Sequence, residues 1–211
     1  MRKYIAEFIG TFFLVLTIFC TVVGRKTDDG VIPPLAIGSA LMVMIFAGGH
    51  ISGGHFNPAV TLAVTLRGKC SIKDVPGYWI AQFLGGLLAA YLAITFIEEA
   101  SPATPDPLKV VPALLAEFLF TFALCYVVLN VATAKGTANN SFYGLAIGFT
   151  VMTGAFAVGG ISGGAFNPAV ALSAAVYRLI PIHQVWIHLT AEVAAAIVAA
   201  GAFRLLNPDD E

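Results

Sequence analysis

The chain has 211 residues, 58% of them hydrophobic and 11% charged, with a net charge of −1. Soluble domains carry roughly 25% charged residues, so this composition excludes a water-facing surface over most of the chain. The near-zero balance also excludes a basic face for nucleic acid.

Long apolar stretches separated by short charged segments indicate a multi-spanning membrane protein. The first predicted span covers residues 4–24. It follows Arg2 and Lys3, an order shared with secretory leaders, but Glu7 interrupts the apolar run and no small-residue cleavage site follows. It is therefore expected to be a transmembrane helix. The second span, 34–49, is short for a crossing of about 20 residues. The segment Ile-Ser-Gly-Gly-His-Phe-Asn-Pro-Ala-Val at 51–60 is therefore expected to begin within the membrane, with irregular backbone at its glycines.

Asn57 has the chemistry of a helix N-cap and Pro58 suits the first helical position. The run 59–66 then reads as a helix of roughly 15 Å with its cap, half of the hydrocarbon thickness. A third span is expected at 77–97. The linker 98–111, rich in proline and acids, leads to a fourth span at 112–132 and a fifth at 142–159. The segment 161–170 follows, then a second half-helix at 169–177 and a sixth span at 183–206.

The two decapeptides, 51–60 and 161–170, differ only at His55 and Ala165. Their offset of 110 residues also pairs Glu7 with Glu117 and Gln82 with Glu192. The chain is thus one domain, 1–211, made of repeat one (1–97), the linker, and repeat two (112–211). Three spans per repeat require the second copy to enter the membrane inverted. Lys and Arg place Arg2, Lys3, Arg67, Lys69, Lys73, Lys135 and Arg204 on one side against Arg25, Lys26, Lys109 and Arg178 on the other. That bias predicts cytoplasmic termini in a cell (inner) membrane.

Two inverted half-helices can meet head to head and make a seventh crossing. Each N-terminus brings about half a positive charge to the meeting point. Irregular backbone at that depth survives where protein or water satisfies it, so the loops are expected to line a wet pore. With its oxygen used for capping, each asparagine would turn its NH₂ to the lumen and repel cations and protons. Glu7 and Glu117 are expected to accept hydrogen bonds from loop N–H groups, with a proton relay as the alternative. Gln82 and Glu192 are expected to brace the same loops. His55 is expected to narrow the cytoplasmic mouth, and His50 to flank the loop or make a structural hydrogen bond. His183 and His188 carry no readable signal. Cys20 and Cys125 read as buried thiols, and the three cysteines have no metal spacing. No cofactor and no metal are expected.

These residues resemble the aquaporin and aquaglyceroporin family, the major intrinsic proteins. The resemblance spans the whole chain and rests on six spans, two inverted repeats and the motifs Asn57-Pro58-Ala59 and Asn167-Pro168-Ala169. It implies an all-α membrane fold of six transmembrane helices and two re-entrant half-helices. It also implies a homotetramer in the lipid bilayer, with passive conduction of water or small neutral solutes. Family members usually carry arginine directly after the second motif; here that position is Val170. By the resemblance the selectivity filter is Ile37, Ala155, Gly164 and Val170, a wide and apolar ring unless Phe156 or Phe166 fills the gap. An arginine-to-valine filter resembles a bacterial subgroup associated with arsenic detoxification, so arsenite or methylated arsenicals join glycerol and urea as candidate solutes. The alternatives are a general water and glycerol channel with no arsenic role, and an ion-coupled secondary transporter, which also uses inverted repeats and broken helices. No enzyme chemistry is visible.

Overall fold

The computed structural model describes residues 1–23, 30–97 and 105–210. Arg25 and Lys26, and linker residues 98–104, lie outside the described residues. The described residues form eight α-helices and no strand. These are α1 (Arg2–Val22), α2 (Ile32–Ser52), α3 (Pro58–Leu66), α4 (Val75–Phe96), α5 (Val110–Thr133), α6 (Tyr143–Ser162), α7 (Pro168–Val176) and α8 (Val185–Leu206). Six helices among the described residues are long and apolar enough to cross a membrane. The other two, α3 and α7, have nine residues each. At 1.5 Å per residue they reach only about 14 Å.

The repeat is visible in the packing. Helix α1 lies against α4, as α5 lies against α8, and α2 meets α6 across the middle. The α2–α6 crossing is a backbone-to-backbone approach. A Cβ added at Gly38 would stand 2.7 Å from the Gly148 carbonyl oxygen, and one at Gly148 would stand 2.5 Å from that of Gly38. Any side chain there would push the two spans apart. Large apolar side chains face outward, among them Ile9, Phe13, Leu84, Leu119, Phe149 and Ile197. The carboxyl groups of Glu7, Glu117 and Glu192 face inward and are fully buried. Such an inside-out distribution fits a lipid surroundings.

Helices α2 and α6 run longer than the sequence spacing suggests. They continue through Gly48-Gly49 and Gly159-Gly160 to Ser52 and Ser162, so Ile51 and Ile161 are helical. The helices stop where the backbone turns left-handed, at Gly53 (φ 89°) and Gly163 (φ 90°), each followed by a second left-handed glycine. Paired glycines inside the helix are tolerated. The left-handed turn that ends it is what requires glycine.

On the face that carries both termini, Arg67 at the end of α3 pairs with Asp210 at 2.6 Å, and both side chains are nearly buried. The Arg67 guanidinium lies over the Phe203 ring at 4.7 Å. The Lys135 N–H donates to the other Asp210 oxygen at 2.7 Å. The C-terminal residues thus tie the first half-helix to the α5–α6 connection.

Candidate conduction pathway

Each half-helix starts at an asparagine in extended conformation. The Asn57 Oδ1 accepts from Ala59 N–H at 2.8 Å and Val60 N–H at 3.4 Å. The Asn167 Oδ1 accepts from Ala169 N–H at 2.9 Å. These bonds satisfy helix donors that have no partner of their own. The amide nitrogens then cross over. Asn57 Nδ2 donates to the Phe166 carbonyl at 2.8 Å, and Asn167 Nδ2 donates to the Phe56 carbonyl at 2.9 Å. One hydrogen of each NH₂ is therefore used between the repeats, which leaves the second for the lumen. That corrects the expectation that the whole NH₂ group faces the pore. The cross-bonds also lock the two N-termini together.

The residues before the asparagines, Phe56 and Phe166, have φ of 48° and 47°. A non-glycine residue in this region costs of order 1–3 kcal/mol and persists only where its surroundings hold it. The two glutamates do so. Glu7 accepts from Phe56 N–H at 2.6 Å, His55 N–H at 2.9 Å, Ser52 Oγ at 2.6 Å and Gln82 Nε2 at 2.8 Å. Glu117 accepts from Phe166 N–H at 2.8 Å, Ala165 N–H at 3.1 Å and Ser162 Oγ at 2.6 Å. Donors converge on each carboxylate from every side, so its lone pairs are spent on the loops.

The bracing differs between repeats. Gln82 joins Glu7 to the Thr61 hydroxyl, whereas Glu192 accepts from Asn167 N–H at 2.9 Å through one oxygen, and its other oxygen has no partner among the described residues. Tyr78 donates to the Ser52 carbonyl at 2.7 Å, and His188 Nε2 lies 2.9 Å from the Ser162 carbonyl. The sequence assigned no role to Ser52, Ser162, Tyr78 or His188. The 110-residue offset that pairs Tyr78 with His188 was the available signal.

A cavity of ≈260 Å³ runs from the face opposite the termini past both asparagines. Val22, Pro33 and Gly163 lie among its lining residues toward that face, and Ile37, Ala155, Gly164 and Val170 line it further in. Among the described residues none of its lining side chains is charged, and the polar ones are Asn57, Asn167 and His55.

The comparisons bear on this geometry directly. A family model described as Major intrinsic protein matches residues 1–157 and 143–210. The chain belongs to the major intrinsic protein family. It is 38% identical to aquaporin NIP1-1 of Oryza sativa subsp. japonica, over 98% of this chain and 75% of that one. It is 36% identical to the glycerol uptake facilitator protein-like 6 of Lactiplantibacillus plantarum, with 100% of both chains covered. Nodulin-26 of Glycine max is 34% identical, over 100% of this chain and 80% of that one. The fold is shared with the aquaglyceroporin from Plasmodium falciparum, at a TM-score of 0.81 and 23% identity, covering 95% of this chain and 93% of that one.

As a major intrinsic protein it is a multi-pass membrane channel for passive passage of water and small solutes, and not an enzyme. In this family member Phe156 is exposed on the outer surface, away from the lumen. The Phe166 ring packs on Phe120 with centroids 5.6 Å apart. Phe156 does not line the cavity, whereas Phe166 does, and a Cβ added at Gly164 would stand 3.4 Å from its ring. His50 is exposed and lines a shallow cavity on the terminus-bearing face, beside the mouth rather than in the lumen, and no hydrogen bond to it is seen among the described residues. Cys125 is buried, but Cys20 is only half-buried, because it lies at the frayed end of α1.

Proposed function

We propose that the protein is a passive channel for uncharged solutes larger than water, passing through the ring Ile37, Ala155, Gly164 and Val170 and then the asparagine pair. The observation that carries this reading is the ≈260 Å³ cavity itself, which passes that ring without a charged side chain. Arginine at position 170 would supply five donors and a fixed charge; valine supplies neither. Ala155 and Gly164 withdraw most of the remaining side-chain bulk. Hydrogen bonding to the solute falls to backbone carbonyls and to the asparagines. Exclusion of cations then rests on the two half-helix N-termini, whose dipoles add at the centre.

Glycerol and urea fit such a lumen. Arsenous acid fits it too, being neutral at physiological pH and polyol-like in its hydroxyls, and its methylated derivatives suit an apolar ring. The relative from Lactiplantibacillus plantarum is named for glycerol uptake, which supports the polyol part of this reading. The membrane orientation that goes with it has both termini cytoplasmic, and the assembly is a homotetramer with one pore in each subunit.

The test is stopped-flow uptake by proteoliposomes given water, glycerol, urea or arsenite gradients. Fast, non-saturating uptake of glycerol and arsenite, indifferent to ion gradients, is expected. Uptake that saturates and follows a sodium or proton gradient would replace this reading with a coupled transporter. Water permeation alone would reduce the protein to a water channel.

A further inference from the structure

The lumen is not equally open on both sides of the asparagine pair. The ≈260 Å³ cavity that begins at the face opposite the termini ends at His55 and Val128. A second cavity, of ≈340 Å³, opens from the terminus-bearing face between Lys3, Lys69 and Asp74 and ends at the same two residues. Among the described residues, His55 and Val128 are the side chains that line both cavities, and both are more than nine-tenths buried. Val60 lines the first cavity only and Val64 the second only, so one helical turn of α3 separates them. On the inverted half of the lumen, the offset of 110 places Ala165 opposite Ile18 at the corresponding level. There the cavity continues without a division. An imidazole on one side and a methyl group on the other is the difference.

His55 is also held rigidly, and in one tautomer. The Thr61 hydroxyl has a single hydrogen, and it goes to the Asn57 carbonyl at 3.0 Å. Thr61 Oγ already accepts from Gln82 Nε2 at 2.9 Å. The 3.2 Å contact between His55 Nδ1 and Thr61 Oγ must then be donated by Nδ1. The neutral ring therefore carries a bare Nε2, for which no partner is seen among the described residues. Tyr78 packs on the same ring with centroids 5.0 Å apart. Repeat two has Ala171 in place of Thr61 and Glu192 in place of Gln82, so the whole bracket exists on one side only.

We propose that the tightest point of this channel, and its discriminator among solutes, is the neck between His55 and Val128, where a solute must donate a hydrogen bond to His55 Nε2 while it passes an apolar wall. This rests on the conduction reading above, and it moves size selection away from the ring at Val170. Solutes would meet donors at the asparagines and then one acceptor at the neck. Polyols, urea and other hydroxyl or amide donors satisfy both.

The experiment compares glycerol, xylitol and water uptake by proteoliposomes carrying the wild type, Val128→Ala, His55→Ala, His55→Leu and Phe149→Ala, all normalised to reconstituted protein. The two alanine variants at the neck should raise the xylitol-to-glycerol ratio several-fold, since a methylene at a constriction is worth about tenfold or more. His55→Leu keeps the bulk and removes the acceptor, so glycerol should fall about tenfold relative to water. Phe149→Ala, on the lipid-facing surface, should leave every ratio within about twofold. An unchanged xylitol-to-glycerol ratio in both alanine variants would overturn the neck alone. So would a Phe149→Ala variant whose xylitol-to-glycerol ratio rises as much as theirs. Wild-type vesicles no faster than empty ones would overturn the conduction reading, and the neck with it.

Discussion

Replacing Glu7 by glutamine tests what the buried acids are for. The carboxylate receives four donors on two oxygens, two of them backbone N–H groups. Glutamine has one acceptor oxygen and one NH₂. If the NH₂ replaces Oε1, the Ser52 hydroxyl can rotate to accept, but the His55 N–H loses its partner. If it replaces Oε2, Gln82 can turn its own oxygen inward, but the Phe56 N–H loses its partner. Either orientation leaves one buried backbone donor unpaired, at a cost of about 1–3 kcal/mol. The bonds that remain lose their charge assistance, roughly half their strength. Together that is about 2–5 kcal/mol, concentrated on a loop where Phe56 already sits at φ 48°. The assay is thermal unfolding of detergent-solubilised protein by fluorescence-detected size exclusion, alongside glycerol uptake per reconstituted channel. Glu7→Gln should lower the melting temperature and the yield, with the selectivity of surviving channels unchanged. Normal yield and melting temperature with abolished conduction would refute a structural role and favour a proton relay.

Other substitutions probe the remaining joints. Glu192→Gln puts in repeat two the residue that braces Glu7 in repeat one, and it keeps an oxygen for the Asn167 N–H. It should leave yield and uptake near wild type, and a collapse in yield would show that the second acid is needed. Asn167→Ala removes both the cap of α7 and the bond to the Phe56 carbonyl. The lost cap alone is worth about 0.5–2 kcal/mol, and chemical denaturation should show at least that much destabilisation. Arg67→Ala removes the cation beside Asp210 and leaves that carboxylate, among the described residues, only the Lys135 N–H. Losing one partner of a buried pair costs about 3–5 kcal/mol, so a melting curve identical to wild type would show that the C-terminal tie carries no load.

Much of the fold was legible because the chain states it twice. The decapeptides, alike but for His55 and Ala165, marked the two half-helices, and the asparagine–proline chemistry located their starts to the residue. Paired acids in apolar spans gave the loop braces, since a buried carboxylate must find donors. What was not legible depends on three-dimensional approach. The cross-bonds from Asn57 to Phe166 and from Asn167 to Phe56 join residues that only the inverted docking brings together. The end of α2 was misplaced because glycine content was read as helix breaking. The left-handed turn falls at Gly53, and Gly48-Gly49 stays helical under tertiary packing. His188 looked featureless because its role, holding the Ser162 carbonyl, belongs to tyrosine in the other repeat. His50 sits five residues from His55 in sequence, yet it points out of the far side of the helix end.

The most direct test of the wide apolar ring is Val170→Arg, with water and glycerol permeability measured in the same vesicles. Val170 is buried and lines the lumen beside Gly164. Arginine there adds bulk, donors and a fixed charge inside a low-dielectric constriction, where charge acts strongly. Glycerol uptake should fall by about tenfold or more while water falls far less, and any cation leak should decrease. An unchanged glycerol-to-water ratio would show that position 170 does not face the solute path, and the wide-ring account would fail.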